Sequence, residues 1–142
     1  MALKKMTSSL NRAPAPVVDA KVAAYCRDLD RWPRSWMGLE EDVLPGQHIV
    51  ACLLPFLQYL ATSSLSPKTI RRHVDNLWLL GGEIIRDLHY DPPLRKLSAD
   101  RLLRNAVHEG GGPPIHNGSE DLQRSFDSTC RKLHRFLTQA ST

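Results

Sequence analysis

The chain has 142 residues, 42% of them hydrophobic and 24% charged, and 19 Lys and Arg against 15 Asp and Glu leave it at +4. That balance excludes a disordered polyampholyte and fits one domain with its own core. No apolar run approaches the ~18 residues of a membrane span, since the stretch from Ile49 to Leu60 is short and holds Pro55, while the positive charge permits a polyanion partner.

Residues 1–16 lack the apolar core of a signal peptide and contain no acid before Asp19, which predicts a flexible N-terminal tail. The cysteines, Cys26, Cys52 and Cys130, are far apart and odd in number. Buried free thiols in a reducing cytoplasm are the expectation.

The first helical pattern follows Pro14 and Pro16. Val18, Val22, Tyr25, Cys26, Leu29 and Trp32 share one face of a helix that Pro33 should stop. Trp32-Pro33-Arg34-Ser35-Trp36 then reads as a turn whose two indoles cap the core edge. Gly38 to Gly46 is acidic at Glu40, Glu41 and Asp42, ends in Pro45-Gly46, and reads as a loop or short helical turn. Gln47 to Thr62 predicts a helix apolar around most of its circumference, hence central in a bundle. Pro55 should kink it or break it in two.

The clearest helix start is Ser66-Pro67. Serine is a good N-cap, proline suits the first helical position, and the serine hydroxyl is worth about 1 kcal/mol there. Ile70, Val74, Leu77, Trp78, Gly81, Ile84, Ile85 and Leu88 continue as a stripe until Asp91-Pro92-Pro93. Gly81 on the stripe predicts a close approach by another helix, and Gly82 beside it favours a bend. Ser98 should cap a short helix carrying Leu102, Leu103, Ala106 and Val107. A flexible loop at about 110–118, opening on Gly110-Gly111-Gly112-Pro113-Pro114, leads to a final helix capped by Ser119. That helix places Glu120 and Asp121 first and Arg131, Lys132, His134 and Arg135 near its end, which complements the helix dipole. With no strand alternation, the expectation is an all-α, single-domain bundle of about five helices over residues 17–139.

Catalytic and metal motifs are not apparent. There is no CxxC pair, and the six histidines show no ligand spacing such as HExxH. No enzyme activity, metal or cofactor is expected. The helix after Ser66 offers binding chemistry instead. Lys68, Arg71, Arg72 and Asn76 should lie off the apolar stripe, and backbone donors and the Thr69 hydroxyl sit at the helix end. Such an end can hold a phosphate, and the alternative is a solvated basic face beside Asp75.

Phe56-Leu57-Gln58-Tyr59-Leu60 followed by Leu65-Ser66-Pro67-Lys68-Thr69-Ile70-Arg71-Arg72-His73-Val74-Asp75-Asn76-Leu77 resembles the N-terminal core-binding domain of tyrosine recombinases (phage integrases). The resemblance covers roughly Ile49 to Leu88. It implies a SAM-like helical fold and a clamp on double-stranded DNA, with Lys68, Thr69, Arg71, Arg72 and Asn76 as contacts. The recombinase catalytic domain has no counterpart here: no His-x-x-Arg occurs and the last tyrosine is Tyr90. The expectation is a non-catalytic, cytoplasmic DNA-binding module. The alternative is a helical scaffold that binds another protein, and no membrane is expected as a partner. A continuous face of Lys68, Arg71, Arg72, Arg131, Lys132 and Arg135 favours DNA, whereas pairing of Arg71 or Arg72 with Glu40, Glu41 or Asp42 disfavours it.

Overall fold

A computed structural model describes residues 18–140, so the tail expected over residues 1–16 lies outside them. Six α-helices occur among the described residues: α1 (Ala20–Tyr25), α2 (Trp32–Trp36), α3 (Val43–Ala61), α4 (Pro67–Tyr90), α5 (Ala99–Ala106) and α6 (Glu120–Ala140). Short 3-10 turns at Leu29–Arg31, Glu40–Asp42 and Pro92–Lys96 join them. The fold is an all-α bundle, and one isolated bridge between His108 and Gly111 is its only β pairing among the described residues.

The first expected helix is divided. α1 starts at Asp19, whose carboxylate accepts the Lys21 N–H at 2.7 Å, and ends at Tyr25. Val22, Cys26, Leu29 and Trp32 are nevertheless all buried. The periodicity therefore identified most of the inward side chains, Val18 being exposed, and misread the backbone, because a helix, a 3-10 turn and a second helix present the same face. Pro33 does not stop a helix. It lies in the first turn of α2, where no N–H is needed.

α3 begins at Val43 rather than Gln47, so Pro45 and Gly46 belong to its first turn and not to a loop. It runs as one helix through Pro55, so of the expected kink or break the break does not occur. Pro55 and Ala51 are both exposed, so the Ala51 carbonyl that proline leaves without a donor meets solvent. Ile49, Leu53, Phe56, Leu57 and Leu60 are each 1% exposed or less. Helices α1, α2, α4 and α5 pack around them, giving α3 the central place its composition predicts. Together with its leading turn it forms a 22-residue stretch, Glu40–Ala61, which contains an 18-residue window of mean hydropathy 1.3. By length and composition alone that stretch is long and apolar enough to cross a membrane, which a reading limited to Ile49–Leu60 missed.

α4 is the longest helix, at 24 residues, or roughly 36 Å at 1.5 Å per residue. Ser66 caps it as expected, its hydroxyl accepting the Thr69 N–H at 3.2 Å. Gly81 provides the predicted close approach, and the partner is Trp36 of α2. A Cβ at Gly81 would overlap the six-membered ring of that indole. The contact is pinned by hydrogen bonds. Trp36 Nε1 donates to the Trp78 carbonyl at 2.9 Å, and Trp78 Nε1 donates to the Ser35 hydroxyl at 2.9 Å. Ser35 in turn donates to the Trp32 carbonyl at 2.7 Å. At an unhindered helical site alanine gains about 1 kcal/mol over glycine, whereas overpacking costs about 1–3 kcal/mol. Gly81→Ala is therefore expected to lower the urea midpoint. Gly82→Ala, whose Cβ would stand 3.2 Å from the indole edge, is expected to leave it nearly unchanged. A Gly81→Ala protein as stable as the parent refutes the close-packing account.

After α5, which Ser98 caps by accepting the Arg101 N–H at 3.1 Å, the chain turns sharply at His108–Gly111. Gly111 has φ +142°, a conformation that L side chains rarely adopt, and a Cβ there would meet Asp127 at 2.6 Å. Where the sequence suggests a flexible loop at 110–118, the segment is held along α6. One side chain, Gln123, does most of this. Its carbonyl accepts the N–H groups of Ile115 and His116, each at 3.0 Å. Its amide donates to the Pro113 carbonyl and to Asp127, again at 3.0 Å. Asp127 also accepts the Gly112 N–H at 3.1 Å. A continuous core runs from Val22 on α1 to Leu137 on α6.

Candidate nucleic-acid interface

The residues singled out on α4 separate into two groups. Lys68, Arg71 and Arg72 are exposed, as a basic contact surface requires. Arg71 lies over the Tyr25 ring of α1, 5.5 Å from its centroid, so its guanidinium is oriented while its edge stays free to donate. Arg72 donates to the Ser125 hydroxyl of α6 at 3.1 Å. Neither arginine pairs with Glu40, Glu41 or Asp42, which engage Arg34, His89 and Arg95 instead.

Asn76 and Thr69 depart from expectation. Asn76 is 7% exposed, and its amide donates to the Ser125 carbonyl and hydroxyl, each at 3.2 Å, and to the Thr129 hydroxyl at 2.9 Å. It is a link between α4 and α6 and not part of an outward contact face. Thr69 is half-buried, with its hydroxyl accepting from Ser66 at 2.9 Å. The helix end is also sparser in donors than its sequence suggests. Pro67 has no N–H and Ser66 occupies that of Thr69, which leaves Lys68.

Sequence reasoning missed His73. It is 2% exposed and its Nδ1 pairs with the Thr129 hydroxyl at 2.7 Å. Burial, and then the positive charges of Arg72 and Lys132, hold its pKa down at about 4, so the ring is neutral near pH 7. A signal existed in the spacing. His73 lies three residues after Ile70 and four before Leu77, and Asn76 four before Leu80, so both polar residues share the apolar stripe.

Hydrogen bonds from Arg72, His73 and Asn76 to Ser125 and Thr129 join α4 to α6, and Lys132 follows Thr129 by three residues, within one turn of this junction. Lys132 shares a cleft with Arg135, and Arg135 borders a second cleft with Arg131 and His134. Among the described residues no carboxylate lies within 4.0 Å of Lys68, Arg71, Arg72, Lys132 or Arg135. Arg34, Arg95, Arg104 and Arg124 do have such partners, Arg124 beside Ser125 on α6, whereas Lys21, Arg27, Arg31, Arg86, Lys96 and Arg101 have none among the described residues either. Arg131 borders Glu109 and reaches the Gly110 carbonyl at 3.5 Å.

A second polar centre was also missed. Asp42 is fully buried and accepts four hydrogen bonds at 2.8 Å, from Gly38 N, Leu39 N, His89 Nε2 and Arg95. Burial pushes its carboxyl up, but the Leu39 N–H, the Arg95 guanidinium, the Gly38 N–H and the His89 ring together outweigh it and hold the group ionised well below the usual range. The site ties the start of α3 to the end of α4 and to the turn after it. The thiols of Cys26 and Cys130 are pushed up to about 12, chiefly by burial, and stay protonated near neutral pH. Cys52 is half-buried.

No protein-family model, curated protein or solved structure matches the chain.

Proposed function

We propose that the chain is a non-catalytic module that grips double-stranded DNA with the first turns of α4 and the adjoining basic turns of α6. One observation carries this reading. Lys68, Arg71 and Arg72 in the first turns of α4, and Lys132 and Arg135 on α6, the helix to which Arg72 hydrogen-bonds, have no carboxylate within 4.0 Å among the described residues. Uncompensated cations at a helix junction suit a phosphate backbone, and the Tyr25 stack pre-orients Arg71 for it. The SAM-like, core-binding type of bundle belongs to the same reading. Its support is the Leu65–Leu77 segment, which forms a capped helix start with both arginines outward.

Duplex titration tests it. Affinity is expected to fall steeply with salt, by a log–log slope of about −0.9 per phosphate engaged. Arg71→Ala/Arg72→Ala should weaken binding at least ~10-fold and make that slope shallower by about 2. No duplex binding at about 50 mM salt rejects the reading. A protein-docking role has its own support in a cleft lined by Leu44, Pro45, His48, Leu97 and Leu102, where Leu44 is 55% exposed. That reading gains if the double variant keeps its affinity for a protein partner.

A further inference from the structure

The ring of Tyr59 is the most exposed part of an aromatic cluster in which Phe56 is buried and Phe136 half-buried. Phe56, fully buried on α3, backs it at 6.1 Å with an interplanar angle of 18°. Phe136 of α6 touches both rings, with centroids 5.3 Å away in each case. Tyr59 itself is 49% exposed. Its ring is thus held firmly by two phenylalanines and still offers surface to solvent. Lys132, Arg135 and Phe136 line the same cleft, and neither cation has a carboxylate partner among the described residues.

We infer that this cleft binds an unpaired nucleotide, its base stacked on Tyr59 and its phosphates neutralised by Lys132 and Arg135. The chemistry selects this occupant. A fixed aromatic ring flanked by cations matches the two faces of a nucleotide, the flat π surface and the anionic backbone. A paired base has its faces covered within the stack, so a duplex alone would use only the cations. Lys132 stands three residues after Thr129, which His73 of α4 contacts, so the cleft adjoins the basic junction. This rests on the DNA reading and narrows it: the preferred substrate is a duplex that runs into a single-stranded segment.

Fluorescence polarisation with the full chain tests the inference, using a labelled blunt duplex, the same duplex with a short deoxy overhang, and one with a ribo overhang. An overhang is expected to tighten binding about tenfold, the effect of stacking a base or two. Tyr59→Ala should remove that gain and leave blunt-duplex affinity unchanged, while Tyr59→Phe keeps it. A gain with either overhang that depends on Tyr59 supports the site, and the stronger arm identifies DNA or RNA as the source. Equal affinity for blunt and overhanging duplexes, or a gain that survives Tyr59→Ala, overturns the inference and leaves the duplex reading standing. No binding to any of the three overturns both.

Discussion

Asp42→Ala is expected to be among the most damaging single substitutions, costing about 3–5 kcal/mol, enough to unfold a marginally stable domain. The carboxylate is fully buried and serves four donors. Removing it strands two backbone N–H groups and two side chains. The loss is moderated only where water can substitute, because the side chains of His89 and Arg95 remain 33% and 23% exposed. Asp42→Asn should cost less. Its amide oxygen can replace the carboxylate oxygen that accepts from Gly38, Leu39 and His89, leaving the amide nitrogen to face Arg95. Chemical denaturation of the two variants checks the order. An alanine variant as stable as the asparagine variant would show that the four hydrogen bonds do not hold this corner.

The second large effect is on acid stability. His73 titrates near 6.5 when unfolded and near 4 when folded. Between those values the unfolded chain binds more protons than the native one, so stability rises with pH and falls as the solution is acidified. The loss begins below about pH 6.5, is complete near pH 4, and amounts to about 3 kcal/mol. The Asp42 carboxyl acts separately. Its folded pKa lies below the ordinary 3.8, so its contribution is present above that value and is lost as pH falls further. Denaturant midpoints measured from pH 7 to 4 should therefore decline, and His73→Gln should flatten the decline. A parent midpoint constant across that range would disprove the buried neutral imidazole.

Most of the helices were legible because their caps and stripes are local. Ser66, Ser98 and Ser119 each accept an N–H three residues on, as their positions foretell. The division of the first helix was not legible, since its inward residues satisfy one continuous helical template. Basic residues on α4 were readable as cations, but their lack of acidic partners was not, because pairing is settled between elements distant in sequence. Asn76 shows the same difficulty from the opposite side. Its spacing put it on the apolar stripe, but what it bonds there, the hydroxyls of Ser125 and Thr129, lies on a helix distant in sequence. Asp42 looked like one acid of three in a surface loop, and only the return of α4 and the following turn made it a buried anion.

The Gln123 clamp also couples the segment before α6 to the winding of that helix. The glycine- and proline-rich segment before α6 has little ordering of its own, and its partners Gln123 and Asp127 stand one turn apart on that helix. They face the segment together only once the first turns of α6 are wound. The loop is thus templated by a helix that follows it in the chain. Fraying at the start of α6 releases the loop as well, and the two open as one cooperative unit.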